Sequence, residues 1–173
     1  ADPLSQVVRK IDFAAGRVVT LAGAPYQSGS SDGAGAQARF NQPRAVAVDA
    51  RKQVFVLDLG NQRIRAISTA GVVSTLVSEP DPVKKQRLDE QSTLAVHPVS
   101  GELFYSLGCS IYRVPAAGSP ELWTGGACGN YKDGDRRDAV WSRVLDFGID
   151  ASGTLVAIDG GLVRDRKSTR LNS

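Results

Sequence analysis

Few side-chain groupings in this sequence could do chemistry, and each makes demands on the elements around it. Asp32, Asp133 and Asp135 sit in Asp-Gly turns and offer carboxylates of the kind calcium takes. A calcium loop needs oxygen ligands at alternate positions and a closing carboxylate. That spacing is absent, and turn formation by Asp-Gly accounts for them. Gly33-Ala34-Gly35-Ala36-Gln37-Ala38 matches the dinucleotide pattern G-x-G-x-x-A. The pattern works only after a strand and at the head of a helix. Here a Ser/Gly loop precedes it and a Pro-led strand follows, so a turn is expected. His97 is the single histidine and precedes Pro98. Zinc takes three or four ligands, so His97 reads as a turn residue. Asp58, Asn61, Arg63 and Arg65 form a polar cluster expected to make hydrogen bonds and ion pairs within a sheet. No P-loop, nucleophile elbow or paired-acid motif occurs. No catalytic residue, metal site or cofactor is assigned.

Composition bounds what must position these groups. The chain has 173 residues, 42% hydrophobic and 23% charged, which predicts one folded domain. Eighteen glycines and eight prolines indicate many turns. No apolar run is long enough to span a membrane. The sequence begins at Ala1, holds no methionine and opens with no signal stretch, so an interior piece of a longer protein is expected. Residues 165–173, Asp165 to Ser173, share no pattern with the rest and read as the translation of a sequencing adapter, a non-native tail. Without them Lys+Arg falls from 21 to 18 and Asp+Glu from 18 to 17, and the net charge from +3 to +1. A nucleic-acid footprint needs a clustered basic excess, so no nucleic-acid partner is expected.

Internal repeats dominate the sequence. Residues 31–49 overlay residues 132–150 at an offset of 101 without a gap. Asp-Gly meets Asp-Gly, Phe40 meets Trp141, and Val46-Ala47-Val48-Asp49 meets Phe147-Gly148-Ile149-Asp150. Val54-Phe55-Val56-Leu57-Asp58 then meets Leu155-Val156-Ala157-Ile158-Asp159. A weaker copy, Thr93 to His97 and then Leu103 to Ser106, lies at an offset of 48. It aligns His97 with Asp49 and Asp150. A second half-unit recurs as Ile64 to Leu76, Ile111 to Gly125 and Val8 to Gly23. Each unit thus holds four short Val/Ile/Leu/Phe runs without helical periodicity, separated by turns. Four strands per unit of this length is the propeller period. Phe40 and Trp141, just before first strands, are expected to plug neighbouring blades.

Leu21-Ala22-Gly23, Asp32-Gly33-Ala34-Gly35, Ala38-Arg39-Phe40-Asn41-Gln42-Pro43, Ala45-Val46-Ala47-Val48-Asp49, Val54-Phe55-Val56-Leu57-Asp58 and Asn61-Gln62-Arg63-Ile64-Arg65 resemble an NHL repeat. The resemblance is specific over 17–77, good over 132–163 and loose over 92–126. It implies an all-β fold, a β-propeller of NHL type with four-stranded antiparallel blades and about six blades in the full ring. Residues 1–164 would form an open arc with blade parts 7–23, 40–77, 92–126 and 141–163, twelve strands in all. The polar set Asp49, Asp58, Asn61, Arg63, Arg65, Asp150 and Asp159 is read as structural. The amidating lyases with this type of propeller bind metal through several histidines, a set these residues do not supply. The function expected is a non-catalytic module that binds a protein partner or ligand through loops on one face. The alternative is a piece of a propeller enzyme, a lyase or lactonase-like hydrolase, with its catalytic residues in other blades.

In a four-stranded blade the fourth-to-first and second-to-third connections emerge on one face. The long connections Ala24 to Gln42 and Gly129 to Arg137 carry Tyr26 and Tyr131, each ahead of its Asp-Gly turn. Both are candidate binding anchors; packing onto loop backbone is the other reading. The unpaired ends of the arc are expected to expose apolar surface and drive self-association. Cys109 and Cys128 are the only cysteines. Antiparallel pairing around Ala116-Ala117-Gly118 brings them near each other. A disulfide, which would imply an oxidising compartment, and two buried free thiols both remain open. A thiol count under denaturing, non-reducing conditions separates them: none for the bond, two for the free pair.

Overall fold

The computed structural model describes residues 1–78, 80–81, 86–115 and 119–160, and residues 162–165 as backbone. It divides into two compact units, residues 1–79 and 80–173. The first unit holds a two-stranded sheet, β1 (Val8–Asp12) and β2 (Arg17–Ala22). Its second sheet has the order β3-β7-β6-β5-β4, from β3 (Gly33–Ala34), β4 (Pro43–Val48), β5 (Val54–Asp58), β6 (Arg63–Ile67) and β7 (Val72–Val77). The second unit holds a four-stranded meander of β8 (Leu94–Val96), β9 (Leu103–Leu107), β10 (Ser110–Val114) and β11 (Glu121–Gly125). It also holds a three-stranded sheet of β12 (Val144–Ile149), β13 (Leu155–Asp159) and β14 (Leu162–Asp165). Every strand pairing is antiparallel.

Two strands exceed the twelve expected. β3 comes from the long connection after β2 and pairs Gly33 with Val73 and Ala34 with Val72, covering the outer edge of its sheet. β14 adds a third strand to the last sheet, and its end, Asp165, pairs with Val156. The first residue of the expected tail therefore belongs to the ladder, while 166–173 lie outside the described residues. Both strands escape sequence reading for the same reason. They are short and lack an alternating apolar pattern, and a neighbouring strand edge recruits them.

The turn after each first strand is built alike. The amides of Asp49, His97 and Asp150 donate to the carbonyls of Gln53 at 3.0 Å, Glu102 at 2.8 Å and Thr154 at 2.9 Å. The side chains then cap the turn. Asp49 Oδ1 accepts the Gln53 amide at 2.8 Å, and Asp150 Oδ1 accepts those of Ser152 and Thr154 at 2.8 Å each. His97 Nδ1 accepts the Val99 amide at 3.3 Å and the Ser100 amide at 3.1 Å, which puts the ring proton on Nε2. The His97 turn is one residue longer. Beyond it the offset from the first copy becomes 49, and Leu107 rather than Ser106 stands at the Asp58 position.

Each unit has a core between its two sheets. In the first, Phe40 is fully buried with Val8 and Ala22 on one side and Val56, Ile67 and Val73 on the other. In the second, Trp141 packs with Phe104, Cys109 and Ile111 and with Val144, Phe147, Leu155 and Ala157. Both aromatics therefore fill the space between adjacent sheets. A glycine stands at the end of the outer strand beside each, Gly23 just after β2 with φ of 97° and Gly125 as the last residue of β11 with φ of 88°. A Cβ at Gly23 would lie 2.8 Å from the Gln6 carbonyl and 3.1 Å from the Phe40 ring. At Gly125 it would lie 3.1 Å from the Trp141 ring and collide with the Cys109 carbonyl. The aromatic plug and the bare backbone beside it thus fit as a pair.

Cys109, buried just before β10, is bonded to Cys128 just beyond β11, with Cα atoms 5.4 Å apart. Zero free thiols is the expected count. Phe40→Ala should cost about 3–5 kcal/mol in urea unfolding; a change under about 1 kcal/mol would show that the ring does not hold the sheets together.

Candidate functional site

The site begins from a buried charge. Asp58 ends β5, and Arg65 lies diagonally across the β5–β6 ladder from it, since Asp58 pairs with Arg63. Neither side chain is exposed to solvent, and Arg65 Nη1 reaches Asp58 Oδ2 at 2.9 Å. Arg65 Nη2 reaches Asp32 Oδ1 at 2.5 Å and the Ser31 carbonyl at 3.0 Å; Nη1 also donates to the Arg39 carbonyl at 3.2 Å. The Phe40 ring lies under the guanidinium, 5.4 Å from its centroid to Cζ. Among the described residues, Arg65 Nε is the buried side-chain polar atom left without a partner.

The rest of the cluster points into the same loop. Asn61 Nδ2 bridges Asp58 Oδ2 at 2.7 Å and the Gly29 carbonyl at 2.6 Å, and Arg63 Nη1 donates to the Ser30 carbonyl at 3.3 Å. Asp58 Oδ1 accepts the Asn41 amide at 2.8 Å. Asp32 accepts the Thr75 amide at 3.1 Å and its hydroxyl at 3.2 Å. The sequence reading placed these bonds within the sheet. Most of them instead bind the Ala24–Gln42 loop to the sheet. The role of Asp32 was missed, because an Asp-Gly pair signals a turn and says nothing of an arginine more than thirty residues away.

Burial pushes the Asp58 carboxyl above its ordinary range, against the pull of the Asn61 and Asn41 donors and the Arg65 charge. Burial acts upward on Asp32 too, but the bonds from Arg65 and Thr75 and the Arg65 charge outweigh it, and Asp32 ends below its ordinary range. Asp159, the counterpart of Asp58, is buried and accepts the Ser142 amide at 2.8 Å, its hydroxyl at 2.6 Å and the Arg143 amide at 2.9 Å.

On this held loop Tyr26 is 81% exposed. Its backbone is left-handed, with φ of 62°, and its amide donates to the Ser5 carbonyl at 2.9 Å. Tyr131, in the second unit, is 45% exposed. Its loop closes on the amide–carbonyl pair of Lys132 and Val140, at 3.1 and 3.0 Å. Arg136 from that loop stacks over Trp123 of β11, with Cζ 4.4 Å from the ring centroid. The two loops begin alike: Gly29 donates to the Phe40 carbonyl at 3.0 Å and Gly129 to that of Trp141 at 3.2 Å. Tyr26 and Tyr131 belong to different units.

The dinucleotide-like run forms a 3-10 turn, Gly35–Gln37, between β3 and the strand led by Pro43, with Ala38 buried. A second polar cluster had no signal in the sequence. Tyr105 is fully buried, stacks on Tyr112 at 5.4 Å and donates to the Pro80 carbonyl. Burial first pushes both phenols well above their ordinary range; the neighbouring Tyr112 and then buried Asp81 add to it at Tyr105, and Asp81 adds to it at Tyr112. Among the described residues no three His, Cys, Asp or Glu side chains group as a metal site. Among the described residues no helix is long and apolar enough to cross a membrane.

No family model matches the chain, and no curated protein matches it in sequence. Solved structures do match. A structural genomics protein of unknown function from Bacteroides thetaiotaomicron superposes with a TM-score of 0.61 at 16% identity, over 92% of this chain and 49% of its own. A catalytically inactive virginiamycin B lyase from Staphylococcus aureus gives 0.59 at 10% identity, over 93% and 48%. An auxiliary nutrient binding protein from Bacteroides ovatus gives 0.57 at 14%, over 94% and 50%. This chain spans about half the length of the structures it matches. The likeness shows the fold: the chain is all-β and of the β-propeller class.

Because Asp32 is held below its ordinary range, its contribution is in place above that range and is lost as pH falls. Asp58 carries the opposite sign, its contribution being lost as pH rises. Asp32→Asn should therefore destabilise the chain at neutral pH, and its deficit should shrink at acid pH as Asp32 becomes protonated in both states. Urea unfolding at the two pH values checks this; an equal deficit at both would mean the charge contributes nothing.

Proposed function

We propose that the chain is a non-catalytic binding module of NHL-type propeller blades that takes a protein partner through the loops carrying Tyr26 and Tyr131. The observation that carries this reading is Tyr26. A bulky side chain rarely adopts a left-handed backbone, and doing so costs of order 1–3 kcal/mol. Tyr26 does so while its ring stands in solvent, so core packing does not repay the strain. The loop beneath it is fastened by the Arg65 network, and an aromatic on a rigid loop loses little entropy on binding. Tyr131 supports the same reading from the repeated loop. NHL-like residues in both repeats support the blade type, and about six blades is the ring size that goes with it.

Peptides selected from a display library on the intact chain provide the probe. Tyr26→Ala or Tyr131→Ala should weaken such peptides by at least about 2 kcal/mol, roughly thirtyfold, with thermal unfolding nearly unchanged. Unchanged binding in both variants, or a stability loss of about 3–5 kcal/mol in both, would make the tyrosines structural and end the proposal.

A further inference from the structure

Among the described residues five other than glycine take a left-handed backbone: Gln6, Tyr26, Gln42, Lys52 and Gln62, all in the first unit. Three of them lie in closed turns. The Lys52 and Gln62 amides donate to the carbonyls of Asp49 and Leu59 at 3.0 Å each, and Gln6 sits in the turn that Asp2 and Val7 close. Tyr26 and Gln42 stand near opposite ends of the Ala24–Gln42 connection, and neighbouring residues hold both. The Tyr26 amide donates to the Ser5 carbonyl at 2.9 Å, and the Gln42 amide to Gln6 Oε1 at 2.7 Å. Gln42 has a φ of 53°. It also precedes Pro43, whose ring pushes the residue before it toward extended backbone.

The repeat shows that a blade does not need this strain. Arg143 is the counterpart of Gln42, and its φ is not positive. Its amide donates to Asp159 Oδ1 beside that of Ser142. In the first unit Asp58 Oδ1 accepts the Asn41 amide, while the Gln42 amide turns to Gln6 instead. Between Gly125 and Gly129 the left-handed residue is a glycine, Gly126, where the first loop has Tyr26. Strained residues that the scaffold does not require gather at ligand clamps. These two meet where the two sheets of the first unit join, since the Gln6 carbonyl and the Phe40 ring both flank Gly23.

We propose that Gln42, together with Gln6, binds the main chain of an extended segment of the protein partner, beside the side chain that Tyr26 receives. Gln42 is exposed, and neither its carboxamide nor Gln6 Nε2 has a partner among the described residues. A carboxamide carries a donor and an acceptor side by side, as a peptide unit does, so the two pair through two hydrogen bonds. An anionic ligand calls for a guanidinium with open donors. Arg39, Arg63 and Arg65 instead donate to oxygens of the loop that they hold. This inference rests on the loop reading above and names what the partner presents there: backbone rather than charge.

The test uses the intact chain and those display-selected peptides that Tyr26→Ala weakens. Replacing each peptide amide in turn by an ester removes one N–H donor and leaves the side chains in place. One position should weaken binding to the wild type at least about tenfold, and that penalty should vanish on Gln42→Gly. Gln42→Gly should itself weaken the parent peptide at least about tenfold. It should unfold at the wild-type temperature or above it, because glycine accepts a left-handed backbone without strain. Normal binding by Gln42→Gly, an ester scan with no sensitive position, or an ester penalty unchanged in the variant would each overturn the inference and leave the Tyr26 reading standing. Unfolding of Gln42→Gly well below the wild type would make Gln42 structural and overturn it too. A library that yields no Tyr26-dependent peptide would end both.

Discussion

A guanidinium with no access to water organises the first unit. Removing an arginine from solvent costs several kcal/mol unless its donors are matched. Here Asp58, Asp32 and the Ser31 and Arg39 carbonyls match Nη1 and Nη2, while the Phe40 ring lies against the group. The partners come from three separate stretches: β5, the acidic turn and the run leading into β4. Satisfying one cation therefore determines the path of a long loop. The same geometry brings Gly33-Ala34 alongside β7, and covers that sheet edge. The orphaned Nε shows the cost of the arrangement: one donor has no acceptor.

The second unit repeats the scaffold with different fasteners. Trp141 replaces Phe40, and Gly125 replaces Gly23. The loop base is joined by the Cys109–Cys128 bond, and Arg136 stacks on Trp123. The first loop is held by ion pairs, whose strength changes with pH and salt; the second includes a covalent bond, whose presence depends on redox conditions. The common element is the interlocked aromatic and glycine. It sets the spacing between adjacent sheets, so it tolerates less change than the fasteners do.

A strand buried along its whole length reads as a continuous apolar run. β5 and β9 do so, with nearly every residue buried. β13 carries similar residues with alternate positions exposed, whereas β1 and β2 are exposed along most of their length. Exposed Ile11, Val18, Val156 and Ile158 are therefore interior positions by type and surface positions by circumstance.

The sequence alone determined the repeat, the strands and the turns between them. These depend on local patterns: apolar runs, Asp-Gly pairs and an offset of 101 with no gap. The equivalence of Asp49, His97 and Asp150 was legible for the same reason, since one turn contains nearly all the atoms involved. The tertiary structure alone decided where the polar side chains point. Asp58, Asn61, Arg63 and Arg65 lie close together in sequence, and their grouping is plain. Their partners at residues 29 to 32 lie across a sheet, and no local pattern records that pairing. β3 and β14 formed because a neighbouring edge offered unpaired amides and carbonyls, not because Gly33-Ala34 or Leu162–Asp165 favour strand. The Tyr105–Tyr112–Asp81 cluster was invisible because its members alternate with apolar residues that look no different. Local propensity is written along the chain, whereas satisfying a buried charge or a bare edge depends on which distant groups the fold brings within about 3 Å.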